Sequence, residues 1–371
     1  MKAKRIIMAV TSDIFTDMRV IKVASFLSKN NCQVHVSGRN TSDFELNIPF
    51  ETKRFNMWFR HSFLFYFEYN LRFFFYGLFR KADVIVSNDL DTLFACSLLS
   101  KIKRIPLIYD SHEYFTESVG LQGRNRIRAF WLWIERNCMS TVSKAYTVSQ
   151  PIADAYKTKY NIDFKLVRNF PSVENLPSSE LNTFFPGRKV ILYQGVFNPN
   201  RGLEETIQAM QFLDDTYLFV LIGYGELERA LKSLTNQLNL NQKVHFTGKL
   251  PYETMMQYTY QADLGIALEA PVGKSFEYSL PNKVFDYVHS SLPFISLGTP
   301  EVKKIIEQDE IGIIIPSNQP ETIAIAIEKL LNDTDLYQRI QQNQHRVRQN
   351  YTWENEEKVL QEIYFGKRNT I

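Results

Sequence analysis

Short runs of β-branched and aromatic residues alternate with helical patterns along nearly the whole chain, and they do so in two series. The first series has apolar runs at 6–10, 34–36, 84–86, 107–109 and 145–148. The second has them at 190–193, 218–222, 244–246, 264–268, 294–296 and 312–315. Between the first two runs, Val20, Val23, Ala24 and Leu27 fall at i, i+3, i+4 and i+7, one face of a helix. Leu227, Ala230, Leu231, Leu234 and Leu238 form a comparable face in the second series. Apolar strands joined by helices require crossovers, so each series implies a parallel sheet covered by helices. The proline- and serine-rich stretch 169–186 reads as a linker between them. The expected fold is therefore α/β, with two doubly wound, Rossmann-like domains at 1–168 and 187–350. They are expected to face each other across a cleft, with ligands at the carboxyl ends of the strands.

Bulk properties narrow the function. A chain of 371 residues suits about two domains. A net charge of +3 is too small to argue for nucleic acid. Cys32, Cys96 and Cys138 are far apart and odd in number, as expected of buried thiols in a reducing compartment. No group of His, Cys, Asp and Glu has metal-ligand spacing, so neither a metal nor another cofactor is expected. The apolar run 6–10 is too short for the core of a signal peptide. No stretch approaches the roughly 18–20 apolar residues of a membrane span, so a cytoplasmic location is expected.

The chain is rich in aromatics, with 28 Phe and 19 Tyr. Many fall between Met57 and Phe79, and a second segment, 124–133, mixes arginines with Phe130, Trp131 and Trp133. This composition suits helices lying in a membrane interface. It equally suits helices that pack their rings in the core while Arg and Glu reach out to water.

Several loops carry chemistry-bearing residues. In 279–287, Asn282 reads as a helix cap, Lys283 supplies a fixed positive charge, and Asp286 one turn later could accept hydrogen bonds from sugar hydroxyls. Gly195 opens a loop that closes at Arg201, whose planar fork suits a diphosphate. Gly223, Gly225 and Glu226 form a tight strand-to-helix turn, which structure alone would also explain. Asp110, His112 and Glu113 follow the run at 107–109, where His112 could bond a hydroxyl or exchange a proton. Asp17 and Arg19 open the first helix, and capping suffices for Asp17. Asp263 and Glu269 bracket the run at 264–268, and Glu277 is the acid expected to reach a ligand.

Taken in order, these segments resemble the GT-B glycosyltransferases, in particular the retaining bacterial group called family 4. The resemblance rests on 17–24, 109–113, 147–149, 168–169, 201–204, 223–226, 244–248, 280–287 and 351–354. It implies a first domain that binds an acceptor and a second that binds a nucleotide-sugar donor. Segment 351–371 would be a helix packing back toward the first domain. By the family pattern, Arg201 and Lys283 would hold the diphosphate and Asp286 the ribose hydroxyls. Gly195, Gly223, Gly225, Glu226, Glu277 and Asn282 would complete the donor site. His112 and Glu113 would be catalytic, and Asp17 and Arg19 would lie on the acceptor side. The sequence departs from the pattern at Tyr278, where the first of two paired acids usually stands, and at Val196, which replaces an arginine. The implied reaction is metal-independent transfer, with retention, to a saccharide acceptor, expected to be lipid-linked at the inner face of the cytoplasmic membrane. A sugar-nucleotide epimerase of the same architecture and a non-catalytic sugar-nucleotide-binding subunit remain the alternatives.

Overall fold

The computed structural model describes residues 3–41, 46–173, 184–270 and 272–366. The chain divides into two compact units, Met1–Arg168 with Glu357–Ile371, and Asn169–Glu356. Of the expected linker, 174–183 lie outside the described residues. Phe170, by contrast, is buried within the second unit, its ring 4.4 Å from that of Phe285.

The first unit is built on seven parallel strands: β1 (Arg5–Ala9), β2 (Gln33–Arg39), β3 (Glu51–Phe55), β4 (Val84–Asn88), β5 (Leu107–Ser111), β6 (Val142–Thr147) and β7 (Phe164–Leu166). Their order in the sheet is β3-β2-β1-β4-β5-β6-β7. The connecting helices are α1 (Met18–Lys29), α2 (Ser62–Phe79), α3 (Leu90–Lys103), α4 (Asn125–Cys138) and α5 (Gln150–Tyr160). The edge strands β3 and β7 were not expected from the sequence. Glu51, Thr52 and Lys53 of β3 are exposed, so the strand lacks the apolar run that marks a buried one. Residues 362–365 close the unit. Tyr364 receives a hydrogen bond from Lys4 Nζ on its carbonyl (2.9 Å) and meets the Tyr146 hydroxyl with its own (3.1 Å).

The second unit has six parallel strands, β8 (Lys189–Gln194), β9 (Tyr217–Ile222), β10 (Val244–Gly248), β11 (Leu264–Ala267), β12 (Phe294–Ser296) and β13 (Ile313–Ile314). They lie in the order β10-β9-β8-β11-β12-β13. Its helices are α6 (Leu203–Ala209), α7 (Glu228–Gln237), α8 (Tyr252–Gln261), α9 (Lys274–Glu277), α10 (Asn282–His289), α11 (Pro300–Asp309), α12 (Pro320–Asn332) and α13 (Thr334–Val347); α14 (Trp353–Phe365) runs on into the first unit. Period-two alternation sends successive residues to opposite faces. Thus Ile191, Tyr193, Phe219 and Leu221 enter one core, while Val190, Leu192, Leu218 and Val220 enter the other.

In each sheet the chain first winds outward on one side and then returns to wind on the other. The reversal lies between β1 and β4 in the first unit and between β8 and β11 in the second. Loops at the carboxyl ends of those strand pairs diverge and leave room for a ligand.

Candidate functional site

In the second unit, the loop after β8 carries Gly195 and Arg201, and the residue after β11 is Leu268, followed by Glu269. Lys283 joins them from the first turn of α10. Glu269 Oε1 lies 2.8 Å from Lys283 Nζ and 3.2 Å from Arg201 Nη1, so one carboxylate oxygen holds both cations. Lys283 and Glu269 are both buried, while a quarter of the Arg201 side chain is exposed. Lys283 Nζ sits 3.7 Å from the centre of the Tyr193 ring, and the Arg201 guanidinium 5.0 Å from that of Phe276. Burial pushes the Lys283 ammonium down to about 8, against the pull of Glu269. Burial would raise the Glu269 carboxyl, but Lys283 and Arg201 hold it below the ordinary range. Two cations against one anion leave a net positive charge. Arg201 Nε is buried with no hydrogen-bond partner among the described residues, a donor left for an oxyanion.

The glycines bring backbone to this point. Gly223 adopts φ +144°, and a Cβ there would stand 1.8 Å from the Gly195 carbonyl oxygen. The two loops are laced by Gly195 N–H to Ile222 O (2.9 Å) and Phe197 N–H to Tyr224 O (2.8 Å). A Cβ on Gly225 would meet the Phe197 backbone at 2.4 Å. These glycines therefore serve close loop packing beside Lys283.

In the first unit, the loops after β4 and β5 place His112 between two carboxylates. Its Nδ1 is 3.4 Å from Asp89 Oδ2, its Nε2 is 3.3 Å from Asp110 Oδ2, and its backbone N–H donates to Asp89 Oδ1 at 2.7 Å. Burial alone would lower the imidazole, but Asp89 and Asp110 more than reverse that and raise it to about 9. Asp110 is kept ionised by Arg19, whose Nη2 and Nε donate to it at 2.6 and 3.0 Å. Asp89 holds a non-glycine φ of +60°, a conformation seldom tolerated without a functional or packing reason. Burial pushes the neighbouring Asp91 carboxyl up to about 6, where it accepts a hydrogen bond from Thr11 Oγ1. Burial also pushes the Asp89 carboxyl up to about 8, against the pull of His112, so of the acids gathered here Asp110 is the one held firmly ionised.

Two family models account for most of the chain. Glycosyltransferase Family 4 matches residues 18–171 and Glycosyl transferases group 1 matches 178–347. The chain belongs to the GT-B glycosyltransferases. An uncharacterized glycosyltransferase of Methanocaldococcus jannaschii is 23% identical over 312 residues, 76% of this chain and 75% of that one. Among solved structures, HepE of Anabaena in complex with UDP and glucose superposes with a TM-score of 0.76 at 15% identity, covering 97% of this chain and 98% of that one. WaaG, a glycosyltransferase involved in lipopolysaccharide biosynthesis, gives a TM-score of 0.73 at 14% identity, covering 97% and 100%.

Some residues singled out in this glycosyltransferase's sequence do other work. Asn282 is exposed as the first residue of α10, with Pro281 at the cap and no side-chain cap bond, so it is not the expected cap. Asp286 is buried, and its oxygens accept from Gln194 Nε2 (2.7 Å) and Tyr252 OH (3.0 Å). These bonds tie α10 to β8 and α8. Glu226 is exposed in the turn before α7, and Glu277 is the last residue of the short α9. Asp17 caps α1 by accepting from Val20 N–H at 3.2 Å. Arg19 is buried, paired with Asp110 and donating to the Val167 carbonyl (2.7 Å). Glu113 is half-buried and lines a groove beside α4.

Sequence reasoning did not assign Glu269, Asp89 or Tyr193 to the site. Glu269 had a signal, an acid directly after a buried strand. Asp89 had a similar one, and Tyr193 had none because it reads as an ordinary strand residue.

Proposed function

We propose that this glycosyltransferase moves a sugar from a nucleotide-diphosphate donor to a lipid-linked saccharide acceptor, with retention of configuration, in the assembly of a surface polysaccharide or glycolipid at the cytoplasmic face of the membrane. The observation that carries the donor reading is the convergence of Arg201 and Lys283 on Glu269 at the switch point of the second sheet. That HepE was solved with UDP and glucose, and that WaaG acts in lipopolysaccharide biosynthesis, support the same reading.

In this mechanism the bond between the anomeric carbon and the β-phosphate oxygen breaks, and negative charge collects on the departing diphosphate. Arg201, Lys283 and the N–H groups at the start of α10 stabilise that charge. The acceptor hydroxyl forms the new bond from the same face, and its proton passes to the departing phosphate oxygen. His112, cationic and held by Asp110, is assigned to a sugar hydroxyl. The acceptor reading is supported by a groove of about 560 Å³ in the first unit, whose wall includes Phe63, Tyr66, Phe130 and Trp131 beside Arg124 and Arg126. A wall of rings next to cations suits an amphiphile with an anionic head.

The test is to incubate the purified chain with UDP-, GDP- and other activated sugars and with prenyl-phosphate-linked saccharides, and to identify products by mass spectrometry and anomeric NMR. A new glycosidic bond of unchanged configuration is expected. Release of free sugar and nucleotide without any acceptor would instead identify an epimerase or hydrolase, and no turnover of any donor would leave only a binding subunit.

A further inference from the structure

The helices α2, α3 and α4 of the first unit leave a ladder of large apolar side chains in solvent. On α2, Phe63, Phe67, Leu71, Phe75 and Phe79 recur every fourth residue, and all are exposed. On α3, Phe94, Leu98 and Ile102 repeat the same spacing, also exposed. On α4, Ile127 and Trp133 are exposed. Each step of four turns the position by about 40°, so the α3 set and the first residues of the α2 set hold to one stripe, while Phe75 and Phe79 wind gradually round α2.

The stripes join into one surface. The helix α3 packs against both α2 and α4. Gly77 permits the close crossing of α2 and α3, since a Cβ there would stand 2.6 Å from Leu99 Cδ1. Exposed rings and the half-buried Phe130 bridge the helices, with Phe67 6.1 Å from Phe63, Phe63 5.4 Å from Phe130, Phe130 6.4 Å from Trp133, and Trp133 6.5 Å from Phe94. Contiguous apolar surface on this scale marks an interface.

Charge selects the occupant. The three helices carry three carboxylates, Glu68, Asp91 and Glu135, and all three are buried. Their exposed charges are cations, Lys101, Arg126 and Arg136, with Arg60, Lys81 and Arg104 exposed on the flanking turns. A second copy of the chain would bring the same cations against themselves. An anionic bilayer answers both features, because acyl chains accept the rings while headgroups accept the rim. No helix among the described residues is long and apolar enough to cross a membrane, so the contact is one of lying on the surface. We propose that α2, α3 and α4 together form a docking face that seats the first unit on an anionic lipid bilayer. The inference rests on the lipid-linked acceptor reading and extends it to α3, which the sequence did not single out.

The test is flotation of the full chain with phosphatidylglycerol–phosphatidylcholine vesicles and with phosphatidylcholine vesicles alone, following tryptophan fluorescence. Binding should be strong to the anionic vesicles and weak to the neutral ones. Leu98→Ser on α3 and Phe75→Ser on α2 should each lower partitioning about tenfold, from the lost apolar burial. Lys101→Gln and Arg136→Gln should each lower it about fivefold, on the anionic vesicles alone. All four positions are exposed, so the variants should melt as the parent does. Absence of binding to anionic vesicles, or full binding by Leu98→Ser, would overturn the proposal. So would a dimer in sedimentation that Leu98→Ser or Phe75→Ser converts to monomer. Transfer to a water-soluble acceptor is measured in parallel. A chain that transfers sugar without binding vesicles refutes the docking face alone, while one that binds vesicles but turns over no donor refutes the transferase reading alone.

Discussion

Lys283 and Arg201 share a single oxygen of Glu269, at 2.8 and 3.2 Å. The carboxylate keeps two neighbouring cations together inside the second unit, and their combined charge still exceeds its own. An incoming diphosphate would compete with Glu269 for both groups, so this carboxylate sets how strongly the site attracts an anion.

Lys283→Met should lower kcat/KM for the donor about 100-fold or more, as loss of a group that stabilises developing negative charge does. The melting temperature should change little, because a methionine avoids the cost of burying an ammonium. Equal losses of turnover and stability in steady-state kinetics and thermal unfolding would refute the assignment.

Glu269→Ala should behave in the opposite way. Removing it leaves two cations close together with no counter-charge, and breaking a buried pair costs about 3–5 kcal/mol. Chemical denaturation should show the loss, and the double variant Glu269→Ala, Lys283→Met should recover part of it.

The donor kcat/KM should fall as pH rises through about 8, where the buried Lys283 ammonium of the free enzyme gives up its proton. In Lys283→Arg that limb should move to higher pH, since a guanidinium stays charged throughout. A pH–rate profile of both proteins decides the matter.

His112 has a folded-state pKa raised to about 9, so folding favours its protonated form. The stability it adds should be complete below about pH 6.5, the ordinary histidine value, and should fade as pH rises toward 9. The gap in unfolding free energy between the parent and His112→Asn should narrow over that window. A gap that widens with pH would contradict the Asp110–His112–Asp89 arrangement.

Asp286→Asn separates an anchor from a ribose contact. With both oxygens already bonded to Gln194 and Tyr252, the variant should lose about 1–3 kcal/mol of stability and keep its donor KM within a few-fold. A large rise in KM at unchanged stability would restore the ribose role.

Most of the fold was legible because buried parallel strands must be apolar. Every run named in the sequence became a strand, whereas β3 and β7 escaped notice as short or polar edge strands. The cation pair proposed to grip the diphosphate was half legible. Arg201 and Lys283 stand out as cations beside helix starts, but nothing local tells which of many acids joins them. That depends on the β8–β11 adjacency, a long-range property. Asp286 shows the limit of reading spacing alone. Its spacing from Lys283 suggests a shared ligand, yet Lys283 and Asp286 spend their charges on different partners, Glu269 and the Gln194–Tyr252 pair. Arg19 likewise looks available until Asp110, far along the chain, arrives beside it.

The first unit is discontinuous, taking its closing residues from beyond Glu356. During synthesis, the stretch that supplies Tyr364 to Lys4 and Tyr146 emerges only after the entire second unit. The first unit therefore waits on the ribosome without the Tyr364 partner of the Tyr146 hydroxyl while the second completes its own sheet. A nonsense mutation near residue 356 would spare every strand among the described residues and still leave the earliest-made unit as the damaged one.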